Sequence, residues 1–244
     1  MRWYDKDGKI VEEIKGKNGK MRPPTVRDAR ENGYFPSVTT ILDQMSKPAL
    51  TQYFINEALS VAYDNKGILK KPKDQAIAIL AKKAKEDGGN AADFGTLLHD
   101  HVERFLKAKE GEIIEMQGDV KQFVEPVFEY IIANGIKGTS EQALIINCEG
   151  GRKVAGTVDN HDDEVIRDFK TQRTKDGKFT CYPSWLWQIS GYNLNLKKPK
   201  GEIIAISSTE PGLIKKFEFT KEDLEKGTRI FNLLVELFYL TKGI

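Results

Sequence analysis

The fold of this chain turns on the stretch from Gly156 to Lys170. It reads Gly156-Thr157-Val158-Asp159, a polar turn Asn160-His161-Asp162-Asp163, then Glu164-Val165-Ile166-Arg167-Asp168-Phe169-Lys170. Two β-branched runs on either side of a cluster of turn formers spell a hairpin. Strand side chains alternate, so Asp168 and Lys170 share a face. A carboxylate beside an amine, with Asp159 closing the neighbouring strand, is a place for a hard divalent cation next to a positive charge. That is equipment for hydrolysing a phosphodiester.

The tripeptide alone carries no information. Asp-x-Lys or Glu-x-Lys begins at six positions, Asp7, Glu13, Asp64, Asp119, Asp168 and Asp176, and such pairs are usually solvated strand faces. Asp168 differs by its context, an apolar strand behind a Gly-x-x-Asp. With a turn centred near Asp162, Asp168 falls opposite position 155 or 156. The two carboxylates then converge only through a bend or bulge near the strand end.

At 244 residues, 39% hydrophobic and 30% charged, the chain suits a single globular domain and not a disordered one. Cys148 and Cys181, with no CxxC, exclude a disulfide framework and a four-cysteine zinc or iron–sulfur site. No apolar run approaches the roughly 20 residues that span a bilayer. Met1-Arg2-Trp3-Tyr4-Asp5-Lys6 lacks the apolar core of a secretory signal, so a cytoplasmic setting without membrane is expected. Net charge is +2, neutral on the question of nucleic acid. Residues 65–85, however, gather seven lysines (Lys66, Lys70, Lys71, Lys73, Lys82, Lys83, Lys85) against Asp74 alone. This is either a solvated face or a surface for a phosphate backbone.

Taken in order, residues 2–20 read as a hairpin with turns at Asp7-Gly8 and Asn18-Gly19, and 21–35 as an irregular arm. Ser37 caps a short helix ending near Lys47-Pro48; helices at 49–63 and 73–86 follow. Gly88-Gly89 is a break before a helix from Ala91 to Lys109, with Phe94, Leu98, Val102 and Phe105 as its buried stripe. His99, Glu103 and Leu106 lie along one edge of that stripe. A helix at 120–133 precedes strands at 142–147, 152–158 and 164–170, a helix at 184–196, strands at 202–208 and 213–219, and a helix at 221–241 capped by Thr220. The expected fold class is α/β, a mixed central sheet flanked by helices. Residues 1–34 form an N-terminal hairpin and arm, 35–94 a helical cap and 95–244 a catalytic core.

With these residues in view, the chain resembles the PD-(D/E)XK nuclease superfamily. It is most similar to the branch holding RecB-type domains, the mitochondrial genome-maintenance exonuclease and related phage or bacterial exonucleases. Gly95-Thr96-Leu97-Leu98-His99 resembles that branch's helical Gly-x-x-x-His. Gly156-Thr157-Val158-Asp159 resembles its first acidic strand, Asp168-Phe169-Lys170-Thr171 its D-x-K, and Gln188-Ile189-Ser190-Gly191-Tyr192 its Gln-x-x-x-Tyr. Ser37-Val38-Thr39-Thr40-Ile41-Leu42 is similar to a segment that often precedes the core in the mitochondrial and phage members. The match spans residues 95–219 firmly and 35–94 loosely.

The resemblance implies one or two Mg2+ or Mn2+ ions held by Asp159, Asp168, the backbone carbonyl of Phe169 and His99, and no iron–sulfur cluster. Asp159, Asp168 and Lys170 are the expected catalytic residues. Lys170 would orient or deprotonate the attacking water, or neutralise charge in the transition state. Gln188 and Tyr192, on one helical face at i, i+4, would approach the nucleic-acid backbone as substrate-binding residues. Glu103, one turn after His99, and Glu141, at the start of the first core strand, are candidate outer partners.

The implied function is a metal-dependent DNA exonuclease in phage or bacterial recombination, repair or processing, acting in a bacterial or phage-infected cell. Its DNA would carry a free end and single-stranded character. No GxxxxGK[ST] is present, so unwinding would fall to a helicase, with single-strand-binding or recombination proteins as further partners. A structure-specific or restriction-type endonuclease of the same fold is the alternative, followed by a non-catalytic DNA-binding module. The latter predicts loss of Asp159, Asp168 or Lys170, and all three are present. His99-Asp100 also matches the His-Asp pair of HD-type phosphohydrolases. Those need further helical histidines, and beyond the adjacent His101 the chain has only His161, in a turn.

Overall fold

Turn chemistry organises the N-terminal region. The computed structural model describes residues 1–108, 112, 114, 116 and 120–244, with the backbone alone at 87, 88 and 90–92. β1 (Trp3–Tyr4) leads through a turn at Gly8 to the hairpin of β2 (Ile14–Lys15) and β3 (Met21–Arg22), which turns at Gly19. The arm expected to be irregular instead contains α1 (Val26–Asn32). Its cause is a capping box. The Thr25 hydroxyl accepts from the Asp28 amide, and the Asp28 carboxylate accepts from the Thr25 amide at 2.8 Å. Arg22 joins the box, 2.7 Å from Asp28. β4 (Phe35–Pro36) then pairs back with β1, and Ser37 caps α2 (Val38–Leu42), which stops short of the expected Lys47.

α3 spans Pro48–Asp64 and α4 spans Lys73–Lys107. The expected break at Gly88-Gly89 does not occur, because the α4 backbone stays helical through both glycines. An interior glycine costs about 1 kcal/mol relative to alanine, which a helix flanked by good helix formers absorbs. The expected end at Lys109 lies outside the described residues. Of the expected stripe, Leu98 and Val102 are buried.

After α5 (Lys121–Ala133) the chain becomes a mixed sheet. β5 (Thr139–Asn147), β6 (Lys153–His161) and β7 (Val165–Gln172) run antiparallel, and α6 (Pro183–Leu196) crosses over to β8 (Lys200–Ser207), parallel to β7. β9 (Ile214–Phe219) closes the sheet, whose order is β5-β6-β7-β8-β9, and α7 (Lys221–Lys242) follows. The fold is α/β, a mixed sheet flanked by helices. Val165 to Phe169 is buried at every position, as a central strand covered on both faces must be. One face holds the main core, in which Ile166, Ile203 and Ala205 meet Trp185 and Ile189 of α6 and Phe231 and Phe238 of α7. The chain divides into two compact units, residues 1–44 with 101–244, and residues 45–100. The sheet belongs to the first; α3 and most of α4 make up the second.

Candidate active site

The turn between β6 and β7 fixes what faces what. Asp162 makes it: its Oδ1 accepts the amides of Glu164 and Val165, both at 2.8 Å, while its own amide donates to the Val165 carbonyl. The turn is therefore centred between Asp163 and Glu164, further along than the expected centre near Asp162. The register is His161 against Ile166 and Asn160 against Arg167. Continued by one step, it sets Asp159 opposite Asp168. With the turn shifted, the two carboxylates no longer need a bulge to converge.

Pairing between β6 and β7 ends after those two pairs, and β6 continues on β5 while β7 continues on β8. Asp159 and Asp168 stand where the strands part. The Asp159 carboxylate reaches across the fork, and its Oδ2 accepts the Phe169 amide at 2.8 Å. The β5–β6 ladder is also interrupted here. Ser140 pairs with Asn160 and Gln142 with Val158, but the intervening Glu141–Asp159 position is unpaired. Glu141 sits there at φ 51, in the left-handed region that non-glycine residues rarely adopt. Three acids, Glu141, Asp159 and Asp168, thus occupy matching positions across three strands.

Asp168 is 1% exposed. Gln188 Nε2 donates to its Oδ1 at 3.0 Å, and Lys170 Nζ lies 2.6 Å from its Oδ2. Gln188 and Tyr192 lie one helical turn apart on α6, and the Gln188 side chain acts on the Tyr192 phenol. The Tyr192 ring is buried against the backbone of Gly156, where a Cβ would lie 2.7 Å from the ring. Glycine is required there for close approach. A relay therefore runs from Gly156 through Tyr192 and Gln188 to Asp168.

The electrostatics follow from crowding charge out of water. Burial and then the Asp168 charge push the Asp159 carboxyl well above the usual range, with Glu141 adding to the effect. Glu141 is pushed up to about 7, by burial and then by Glu103 and Asp168. Burial works against the Lys170 ammonium, yet Asp168 and Asp159 overcome it and hold that amine above its ordinary value. Burial and the two aspartates raise the Tyr192 phenol far up. Three acids thus face a single ammonium, and two of them are held reluctant to ionise.

Such a hard oxygen set suits magnesium or manganese. Among the described residues no three His, Cys, Asp or Glu side chains group tightly enough to hold a metal by themselves. The protein would therefore offer two carboxylates, leaving the other positions to water, carbonyl oxygen and substrate, a sparse set that magnesium accepts.

The structure brings together Asp159, Asp168, Phe169, Lys170, Gln188, Tyr192 and Glu141. Glu103 is paired with Lys107 at 2.5 Å and acts on Glu141 through its charge. His99 belongs to the second unit. Arg167 escapes a reading of the sequence alone, although an arginine inside an apolar strand is a signal in itself.

No family model and no curated protein matches this chain. Among solved structures it is similar to the crystal structure of SSO0001, at 14% identity and a TM-score of 0.36, over 74% of this chain and 70% of that one. It is also similar to the crystal structure of an alkaline exonuclease, LHK-Exo, from Laribacter hongkongensis. There the identity is 13% and the TM-score 0.34, over 62% of this chain and 97% of that one. Superpositions this loose assign no substrate and no residue role to this chain. No helix among the described residues is long and apolar enough to cross a membrane.

Proposed function

We propose that this protein is a metal-dependent nuclease that hydrolyses phosphodiester bonds in DNA, working from a free end. The observation that carries the reading is the pairing of buried Asp168 with half-buried Asp159 at a strand fork, with the Lys170 ammonium 2.6 Å from Asp168. A structural ion pair needs one acid and one base. A second carboxylate that burial and its neighbour hold reluctant to ionise is a cost the fold bears for a reason.

Asp159 and Asp168 would hold Mg2+ or Mn2+, with the Phe169 carbonyl as a further ligand. When bound, the ion supplies a Lewis acid for the phosphate and lowers the pKa of a water. Gln188 fixes the orientation of Asp168, and Tyr192 packs behind Gln188; both position the site from within. Lys170 keeps its proton beside the carboxylates, which suits it to orient the attacking water or to neutralise the phosphorane-like charge. The seven exposed lysines between Lys66 and Lys85 are suited to contact the phosphate backbone.

The test is cleavage of linear against covalently closed circular DNA, with Mg2+ or Mn2+ and with chelator. Linear DNA should be degraded, circles spared, and both Asp168→Asn and Lys170→Ala should be folded and inactive. Cutting of circles would replace the exonuclease with an endonuclease. Wild-type turnover by either variant would overturn the site.

A further inference from the structure

We propose that Arg167 is the positioning residue that holds Asp159 opposite Asp168. The inference rests on the reading of these carboxylates as a metal site, and its geometry stands apart from that reading.

The β6–β7 ladder contains only the pairs His161–Ile166 and Asn160–Arg167 before the strands diverge. Two pairs are too few to fix a register on their own, and a slip of one residue carries a side chain to the opposite face. The turn formers Asn160, His161, Asp162 and Asp163 offer several alternative turn centres within reach of such a slip.

Arg167 is 7% exposed and adjacent to Asp168, so it lies on the face of β7 away from the carboxylates. Its guanidinium joins three elements. Nη1 donates to Asp162 Oδ2 at 2.7 Å in the turn and to Asn160 Oδ1 at 3.1 Å on β6, and Nε donates to Glu202 Oε2 at 2.8 Å on β8. Asn160 and Glu202 are its in-register partners on the two neighbouring strands. Asp162 serves twice, closing the turn with one oxygen and binding Arg167 with the other. Only one registration satisfies all three bonds, and it is the one that sets Asp159 across from Asp168. Lys216, 2.8 Å from Glu218 and 3.4 Å from Glu202, adds a second cation beside Glu202. A planar fork with fixed donors does this where a lysine cannot.

The experiment follows two signals in Arg167→Gln and Arg167→Lys. The first is hydrogen exchange of the Phe169 amide, which is protected through Asp159 Oδ2, compared with amides of β8 and β9. The second is Mn2+ affinity by electron paramagnetic resonance. Arg167→Gln should keep protection in β8 and β9, lose it at Phe169, and bind Mn2+ roughly tenfold or more weakly, the scale of losing a ligand's supporting partner; Arg167→Lys should fall between. Should Arg167→Gln not fold, Asp162→Asn keeps the turn acceptor, weakens the clamp and should show the same local loss. A folded variant with Phe169 protected and Mn2+ bound as in wild type overturns the proposal. If Phe169 protection falls but the wild type binds no Mn2+, the positioning role stands and the metal reading fails.

Discussion

Replacing Gly156 with alanine tests the relay that ends on Asp168. The new Cβ would lie 2.7 Å from Tyr192 Cε1, 3.1 Å from its hydroxyl oxygen and 3.3 Å from Cζ, all inside ordinary contact distance. Tyr192 is 4% exposed, so its ring has little room to retreat. Overpacking of this kind costs about 1–3 kcal/mol. For a chain of this size each kcal/mol moves the melting temperature by about 2–4 °C, so a fall of roughly 2–12 °C is expected. A displaced ring also drags Gln188 from Asp168, so cleavage should fall further than the folded fraction does. The assay is thermal melting by circular dichroism with parallel nuclease rates, for Gly156→Ala, Tyr192→Leu and the double variant. The double variant should lose less than the two single losses combined, with a coupling of about 1 kcal/mol or more. A Gly156→Ala protein that melts and cuts like wild type would show that no such relay exists.

Asp28 is held well below the usual carboxylate range by the Arg22 guanidinium and by Thr25. A lowered folded value stabilises above the unfolded value of about 3.9 and is lost as pH falls below it. Asp28→Asn should therefore melt lower than wild type at pH 7, with the gap closing toward pH 2. Asp159 has the opposite sign: its raised value means that ionisation costs stability as pH rises. Asp159→Asn should melt higher than wild type in metal-free buffer at pH 8, lose that advantage near pH 4, and be inactive. Phe128, 8% exposed and stacked on Phe105 at 4.0 Å between centroids, should cost about 3–5 kcal/mol when cut to alanine, measured by urea unfolding.

Much of the site is legible in the sequence because strand periodicity is strict. Asp168 and Lys170 two apart on an apolar run must share a face, and they form an ion pair. The turn centre is not legible, since four consecutive turn formers compete and the choice falls to the bonds of Asp162 to two amides and to Arg167. Glu141 stands out as an acid near the first core strand, but its left-handed backbone is imposed by the interrupted ladder and has no sequence signature. Thr25-x-x-Asp28 spells the cap of α1, yet Pro23-Pro24 just before it suggests an irregular arm and hides the helix. Gly88-Gly89 misleads in the other direction, as local propensity gives way to the continuity of a long helix.

All of this depends on Asp159 and Asp168 holding a divalent cation between them. The decisive experiment is calorimetric titration of Mn2+ into the metal-free wild type, Asp159→Asn and Asp168→Asn. The wild type should bind saturably and release the ion to chelator, and both variants should lose that binding while remaining folded. Unchanged binding in either variant, or none to the wild type, would contradict the two-carboxylate site.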